Sequence, residues 1–269
     1  MNKKIYFTGD THGAVAPRIS QLLANEDLVP EETALVILGD AGLNYYLDKH
    51  DRRNKKEIES KGVYLYCVRG NHEKRPSNID GMKLVWDETV VGEVWLEEEY
   101  PHIRYFKDWG IYYINGLRTL IIGGAYSVDK FYRISRGFKW FEDEQLSTQE
   151  MDECWRAAMI RPKFDLVLSH TCPTSMQPTD LFLGFIDQNT VDNTMEKWME
   201  KLSQNIEWKL WLFGHYHEDR IELPHVECFY TDIELLDSII ARWERYDKTK
   251  ELDWWLQTSP KFNKMELFK

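Results

Sequence analysis

The chain has 269 residues, 43% hydrophobic and 29% charged, with a formal net charge of −11. That length and apolar content suffice for one large α/β domain and exclude disorder as the main state, while the acidic balance argues against broad binding to nucleic acid or an anionic membrane surface. No apolar run approaches a membrane span, no secretory leader opens the chain, and Cys67, Cys154, Cys172 and Cys228 form no Cys-x-x-Cys pair, so a cytoplasmic protein with reduced cysteines is expected.

The first apolar run, Ile5-Tyr6-Phe7, reads as a strand that ends in Gly9-Asp10-Thr11-His12-Gly13. If the chain stays extended there, alternate side chains point the same way, so Asp10 and His12 can reach one point. Pro17 to Leu23 predicts a first helix. Ala34 to Leu38 predicts a strand buried on both faces and running into Gly39-Asp40. A charged helix is expected over 47–60, stopped by Gly62, and a third strand over Val63–Val68 leads into Arg69-Gly70-Asn71-His72-Glu73. Between about 77 and 110 the pattern weakens to short strand-like runs, read as an insertion. Asn115-Gly116 between two apolar runs marks a tight hairpin that ends in the loop from Gly123 to Lys130.

Ser147 and Glu150 have capping-box spacing at the head of a helix that Pro162 closes. A fourth strand, Asp165–Leu168, ends in Ser169-His170 and is followed by an irregular loop from Thr171 to Asp187. An amphipathic helix over 191–202 precedes a fifth strand, Leu210–Phe213, ending in Gly214-His215-Tyr216-His217. Glu227 to Leu236 predicts one more strand. Residues 1–236 are expected to form one domain and 237–269 a charged, tryptophan-containing tail that is helical in part.

Five apolar runs therefore end in Asp10/His12, Asp40, Asn71/His72, His170 and His215/His217, and functional groups of open α/β sheets collect beyond the carboxyl ends of strands. His50, His102 and His225 lack that context and are read as surface residues. Two carboxylates, an amide oxygen and several imidazoles without a thiolate suit manganese, iron, zinc or nickel, and they are too many ligands for one ion. Two ions sharing a carboxylate is the economical arrangement, and such pairs serve in-line displacement at phosphorus.

Gly9-Asp10-x-His12-Gly13, Gly39-Asp40, Gly70-Asn71-His72-Glu73, Ser169-His170 and Gly214-His215-x-His217 resemble, in order and approximate spacing, the motifs of the calcineurin-like metallophosphoesterase superfamily. The resemblance runs from residue 5 to about 217. It implies an α/β fold of four layers, a β-sandwich of two mixed sheets flanked by helices. It also implies that Asp10, His12 and His217 hold a first divalent metal, that Asp40 bridges, and that Asn71, His170 and His215 hold a second. Manganese is the first expectation for the pair. His72 would stay off the metals and, protonated, stabilise charge on phosphate or give a proton to the leaving oxygen.

In phosphoprotein phosphatases and diadenosine tetraphosphatases of the superfamily, the second motif continues into Val-Asp-Arg-Gly; here it reads Asp40-Ala41-Gly42-Leu43-Asn44. The acid that orients the histidine and the arginine that grips phosphate are missing from those places. Asp129, Arg133 and Arg136 are the candidate substitutes. The expected activity is metal-dependent hydrolysis of a phosphate ester, monoester or diester unresolved. A nuclease or a catalytically silent interaction module is the alternative, and nucleic acid and membranes are not expected partners.

Overall fold

The computed structural model describes residues 3–25, 27–184 and 186–258, with side chains to residue 251. Strand β1 (Lys4–Thr8) is followed by α1 (Val15–Leu22), β2 (Thr33–Leu38), α2 (Lys49–Glu59) and β3 (Tyr64–Val68). Next come β4 (Met82–Asp87), β5 (Gly92–Glu97), β6 (Ile103–Phe106), β7 (Trp109–Ile114), β8 (Leu117–Ile122), α3 (Lys130–Ser135) and α4 (Thr148–Ile160). The chain continues through β9 (Lys163–Phe164), β10 (Leu166–Ser169), α5 (Thr194–Ser203), β11 (Glu207–Trp208), β12 (Trp211–Phe213), β13 (Arg220–Leu223), β14 (Val226–Cys228), β15 (Glu234–Leu235) and α6 (Leu236–Thr258).

The strands form a seven-stranded sheet, β15-β1-β2-β3-β6-β5-β4, and a six-stranded sheet, β13-β14-β12-β10-β8-β7, with β9 and β11 paired separately. In the first sheet β1, β2, β3 and β6 are parallel neighbours with antiparallel strands outside them. In the second, β8, β10, β12 and β14 are parallel and β7 and β13 antiparallel.

Period-two alternation sorts the apolar residues into layers. Val36 and Leu38 of β2 pack with Ile121, Leu168 and Leu212 of the other sheet in a core between the two sheets. Leu35 and Ile37 face the opposite way, onto Val15, Ile19 and Ile58 of α1 and α2. On the far side, Leu120 and Val167 meet Cys154 and Ala158 of α4 and Met195 and Met199 of α5. The result is helix, sheet, sheet, helix: four layers around two mixed sheets, as the resemblance implied.

Local signals explain most boundaries. Ser147 caps α4, with Glu150 returning a bond of 2.7 Å to the Ser147 backbone N–H. Helix α1 begins two residues before Pro17, so proline lies in its first turn, where its missing N–H costs nothing. The stretch expected as one strand over 227–236 is two, β14 in the second sheet and β15 in the first. Between them Asp219 accepts the backbone N–H of Tyr230, Thr231 and Asp232 at 2.7, 2.8 and 3.0 Å, turning the chain across from one sheet to the other. The weakly patterned stretch before residue 110 supplies β4, β5 and β6, which widen the first sheet. Helix α6 buries Ile239 and Trp243 in the inter-sheet core. Trp254 and Trp255 lie outside the residues whose side chains are described. Among the described residues no helix is long and apolar enough to cross a membrane.

Candidate metal centre

Strands β1, β2 and β3 of one sheet and β10 and β12 of the other release their loops at the same end of the sandwich, and backbone hydrogen bonds tie those loops together. His12 N–H donates to Asp40 O at 2.9 Å, Gly214 N–H to His170 O at 3.0 Å and Gly124 N–H to Arg69 O at 2.7 Å. His12, Asp40, His215 and His217 all have positive φ, at 45°, 49°, 72° and 54°. Left-handed conformations are unfavourable for residues with a side chain, and strain of this kind gathers where surrounding structure fixes a functional geometry. At Gly70 a Cβ would lie 1.9 Å from Asp40 Oδ1, so only glycine lets that carboxylate in.

Six of the seven expected ligands bring donor atoms together, and the seventh, His215, joins them through its backbone N–H and by ring packing. Asp10 is 2% exposed; its Oδ1 accepts the His215 N–H at 3.0 Å, while Oδ2 is buried, has no well-formed hydrogen bond, and lies 3.1 Å from His217 Nε2. His217 Nε2 in turn faces His12 Nε2 at 3.0 Å. Asp40 is 1% exposed, and its Oδ1 accepts the His72 N–H at 2.8 Å. Asp40 Oδ2 lies 3.7 Å from His170 Nε2 and 4.0 Å from His12 Nδ1. His170 Nδ1 is 2.9 Å from the Leu38 carbonyl, which can only accept, so Nδ1 carries the proton. Nε2 faces Asn71 Oδ1 at 2.8 Å. The His215 ring packs 4.9 Å from that of His170.

These contacts crowd imidazole nitrogens, carboxylate oxygens and an amide oxygen at one point. Three donor sets meet in this way, Asp10–His12–His217, Asp10–Asp40–His170 and His12–Asp40–His72, each within 4.8 Å. A mixed nitrogen and oxygen donor set at such separations fits divalent first-row cations, whose ligands sit about 2.0–2.2 Å from the metal. Charge agrees. Burial would raise the Asp40 carboxyl, but His170, His72 and His12 around it hold it below the usual range. Burial, helped by the neighbouring His170, drives His215 well below the usual histidine value and keeps a neutral, ligand-competent ring.

Two residues that sequence reasoning did not select orient this set. Asn71 Nδ2 donates to Ser127 Oγ at 2.8 Å, fixing the amide with its oxygen toward His170. Ser127 donates from Oγ to Glu144, which also accepts the Ser127 N–H at 3.0 Å and Trp140 Nε1 at 2.8 Å. A serine in a loop and a glutamate in the acidic run Phe141-Glu142-Asp143-Glu144 give no local signal; both are buried. Ser127→Ala is expected to weaken metal binding by roughly 10- to 100-fold, the usual cost of losing a residue that orients a ligand. Titrating manganese into chelator-treated protein measures it, and an unchanged affinity would detach Ser127 from the site.

Of the three candidate substitutes, Arg133 is brought to His72. Its buried guanidinium packs on the His72 ring, closest to Nδ1, and also reaches Tyr45 OH at 3.1 Å. Asp129 lies 3.8 Å from Arg133 and lines the cleft. Arg136 does not join them: it is exposed just past the end of α3, its guanidinium over the Tyr132 ring at 5.6 Å. The expectation of a protonated His72 also changes. Burial lowers its pKa, Asp40 works against this and Arg133 adds to it, with a net downward shift. The fixed positive charge beside the carboxylates belongs to Arg133.

Above the ligands opens a cleft of about 430 Å³. Asp40, Asn71, His72, His215 and His217 form one side of it, and the loop between β10 and α5 forms much of the other. Of the remaining histidines, His50 is exposed, His102 pairs with Glu59 and His225 pairs with Asp247 at 2.9 Å. Cys172, beside His170 in sequence, is fully buried.

A family model described as Calcineurin-like phosphoesterase matches residues 3–219. No curated protein matches the chain. Among solved structures, the crystal structure of TT1561 of Thermus thermophilus is 13% identical, covers 86% of this chain and 89% of its own, and has a TM-score of 0.44. Another, described as a novel archaeal phosphodiesterase, is 13% identical, covers 64% of this chain and 73% of its own, and has a TM-score of 0.31.

Proposed function

This chain belongs to the calcineurin-like phosphoesterase family, a family of metal-dependent phosphoric ester hydrolases, and from that premise we propose how its own residues carry out the reaction. Asp10, His12 and His217 hold one divalent cation, Asn71, His170 and His215 hold a second, and Asp40 bridges them, with manganese the first choice for both. The observation that carries this reading is the gathering of Asp10, Asp40, His12, His170 and His217 into donor sets within 4.8 Å, with Asn71 Oδ1 2.8 Å from His170 Nε2. A crowded set of nitrogen and oxygen donors of this kind is what a divalent first-row cation requires.

When bound, two such cations supply a water of lowered pKa as the nucleophile and neutralise phosphoryl oxygens. The protein does the rest. Asp10 and Asp40 provide the negative charge that retains the cations, and the Leu38 carbonyl and Ser127 fix the His170 and Asn71 donors before substrate arrives. Arg133 lends permanent positive charge beside His72, which lines the cleft where a phosphoryl or leaving oxygen would lie. A catalytically silent module fits poorly with a complete ligand set. A nuclease fits poorly with a cleft in which no lysine or arginine is among the described lining residues.

The test compares an aryl phosphate monoester with the matching diester, with manganese and after chelation. Hydrolysis is expected to disappear on chelation and return with manganese, and the ratio of the two rates assigns monoester or diester preference. Hydrolysis that survives exhaustive chelation would end the two-metal reading.

A further inference from the structure

The metal ligands occupy one side of the cleft; the walls have a different chemistry. Leu181, Phe182, Leu183 and Ile186, from the loop between β10 and α5, border it together with Val191 and Tyr216. Leu183 is 47% exposed and Val128, at the rim, 39%, so apolar surface stays in contact with water beside a site built for polar chemistry. Phe182 and Tyr216 are nearly parallel, ring planes 15° apart and centroids 6.4 Å apart, which presents aromatic faces along one wall. Asp129, 3.8 Å from Arg133, and Glu196, whose carboxyl burial pushes up to about 7, are the acidic wall residues outside the ligand cluster, and among the described lining residues there is neither lysine nor arginine. Glu196 is 4% exposed and its Oε2 has no hydrogen-bond partner.

We infer that the cleft selects phosphate esters whose organic group is flat, apolar and uncharged, seated against Phe182, Leu183 and Tyr216 while the phosphate rests on the metal side. The inference builds on the phosphoester reading of that site. Its volume is in the range that encloses small organic ligands. Covering the exposed wall with an aromatic ring removes apolar area from water on both partners, and the aromatic faces favour a planar group over a flexible polyol. A second phosphate or a sugar bisphosphate would find no lysine or arginine among the described lining residues to bind its charge.

The test avoids leaving-group bias by using two unactivated primary alkyl esters, 2-phenylethyl phosphate and ethyl phosphate, on manganese-loaded protein. A preference of about tenfold or more in kcat/KM for the phenylethyl ester is expected, carried mainly by KM. Phe182→Ala is expected to cut that preference to below about threefold, and Leu183→Ser, at an exposed position, gives the same readout if the first variant folds poorly. Equal kcat/KM for the two esters would overturn the inference and leave the hydrolase reading standing. If neither monoester turns over while an aryl diester does, the site is a diesterase and the hydrolase reading stands; if no ester of either kind turns over, that reading fails. The cleft is then judged by calorimetry with 2-phenylethylphosphonate and ethylphosphonate: tighter binding of the aromatic phosphonate supports the inference, and equal affinities overturn it.

Discussion

Asp40→Asn is expected to lower turnover by about a thousandfold or more and to reduce the metal retained per chain. The substitution keeps the shape of the side chain, so the packing that holds it at 1% exposure is preserved, and its Oδ1 can still accept the His72 N–H. What changes is charge. Asp40 stands among His12, His72 and His170, whose influence outweighs burial and keeps the carboxylate ionised. A neutral amide offers one oxygen where a bridging carboxylate offers two, and it removes a negative charge that retention of two cations requires. Three measurements separate the causes: turnover at saturating manganese, metal content by elemental analysis, and the rise in melting temperature on adding manganese, which measures binding by linkage. All three should fall together. An Asp40→Asn protein that holds the full metal complement and works within about tenfold of the native rate would remove Asp40 from the bridging role.

Strand ends were legible in the sequence because each apolar run stops abruptly at a small residue followed by a ligand type, as in Leu38-Gly39-Asp40 and Phe213-Gly214-His215. The sorting of those strands into two sheets was not. Runs such as Ala34 to Leu38 are apolar on both faces, and periodicity says nothing about which face meets a helix and which meets the other sheet. The break between β14 and β15 was hidden because it depends on Asp219, a residue eleven to thirteen positions upstream. Arg133 could only be nominated beside Asp129 and Arg136. Spacing does not reveal that α3 ends at Ser135 and leaves Arg136 in solvent while Arg133 turns inward. The apolar wall of the cleft was invisible for a related reason: the 3₁₀ turns Thr174–Met176 and Thr179–Leu181 are isolated, and Phe182, Leu183 and Ile186 lie outside them, so no repeat orders their side chains.

His72→Ala is expected to lower kcat by about 100- to 10,000-fold while leaving both cations bound. Geometry offers a rival role, since His72 shares a 4.8 Å cluster with His12 and Asp40 and could serve as a ligand. The neighbours of its ring argue against that. The Arg133 guanidinium, which can only donate, lies against both His72 ring nitrogens, and its fixed positive charge disfavours a cation at the same ring. His72 Nε2 stays 4.0 Å from Asp40 Oδ2. A histidine on the cleft wall beside a fixed positive charge suits an oxygen whose negative charge grows during displacement, and such groups act on the transition state more than on the bound ester. The loss should accordingly appear in kcat with KM little changed, and elemental analysis should find the native metal content. If His72→Ala releases one equivalent of metal, His72 is a ligand, and the charge of Arg133 does not keep it off the metals.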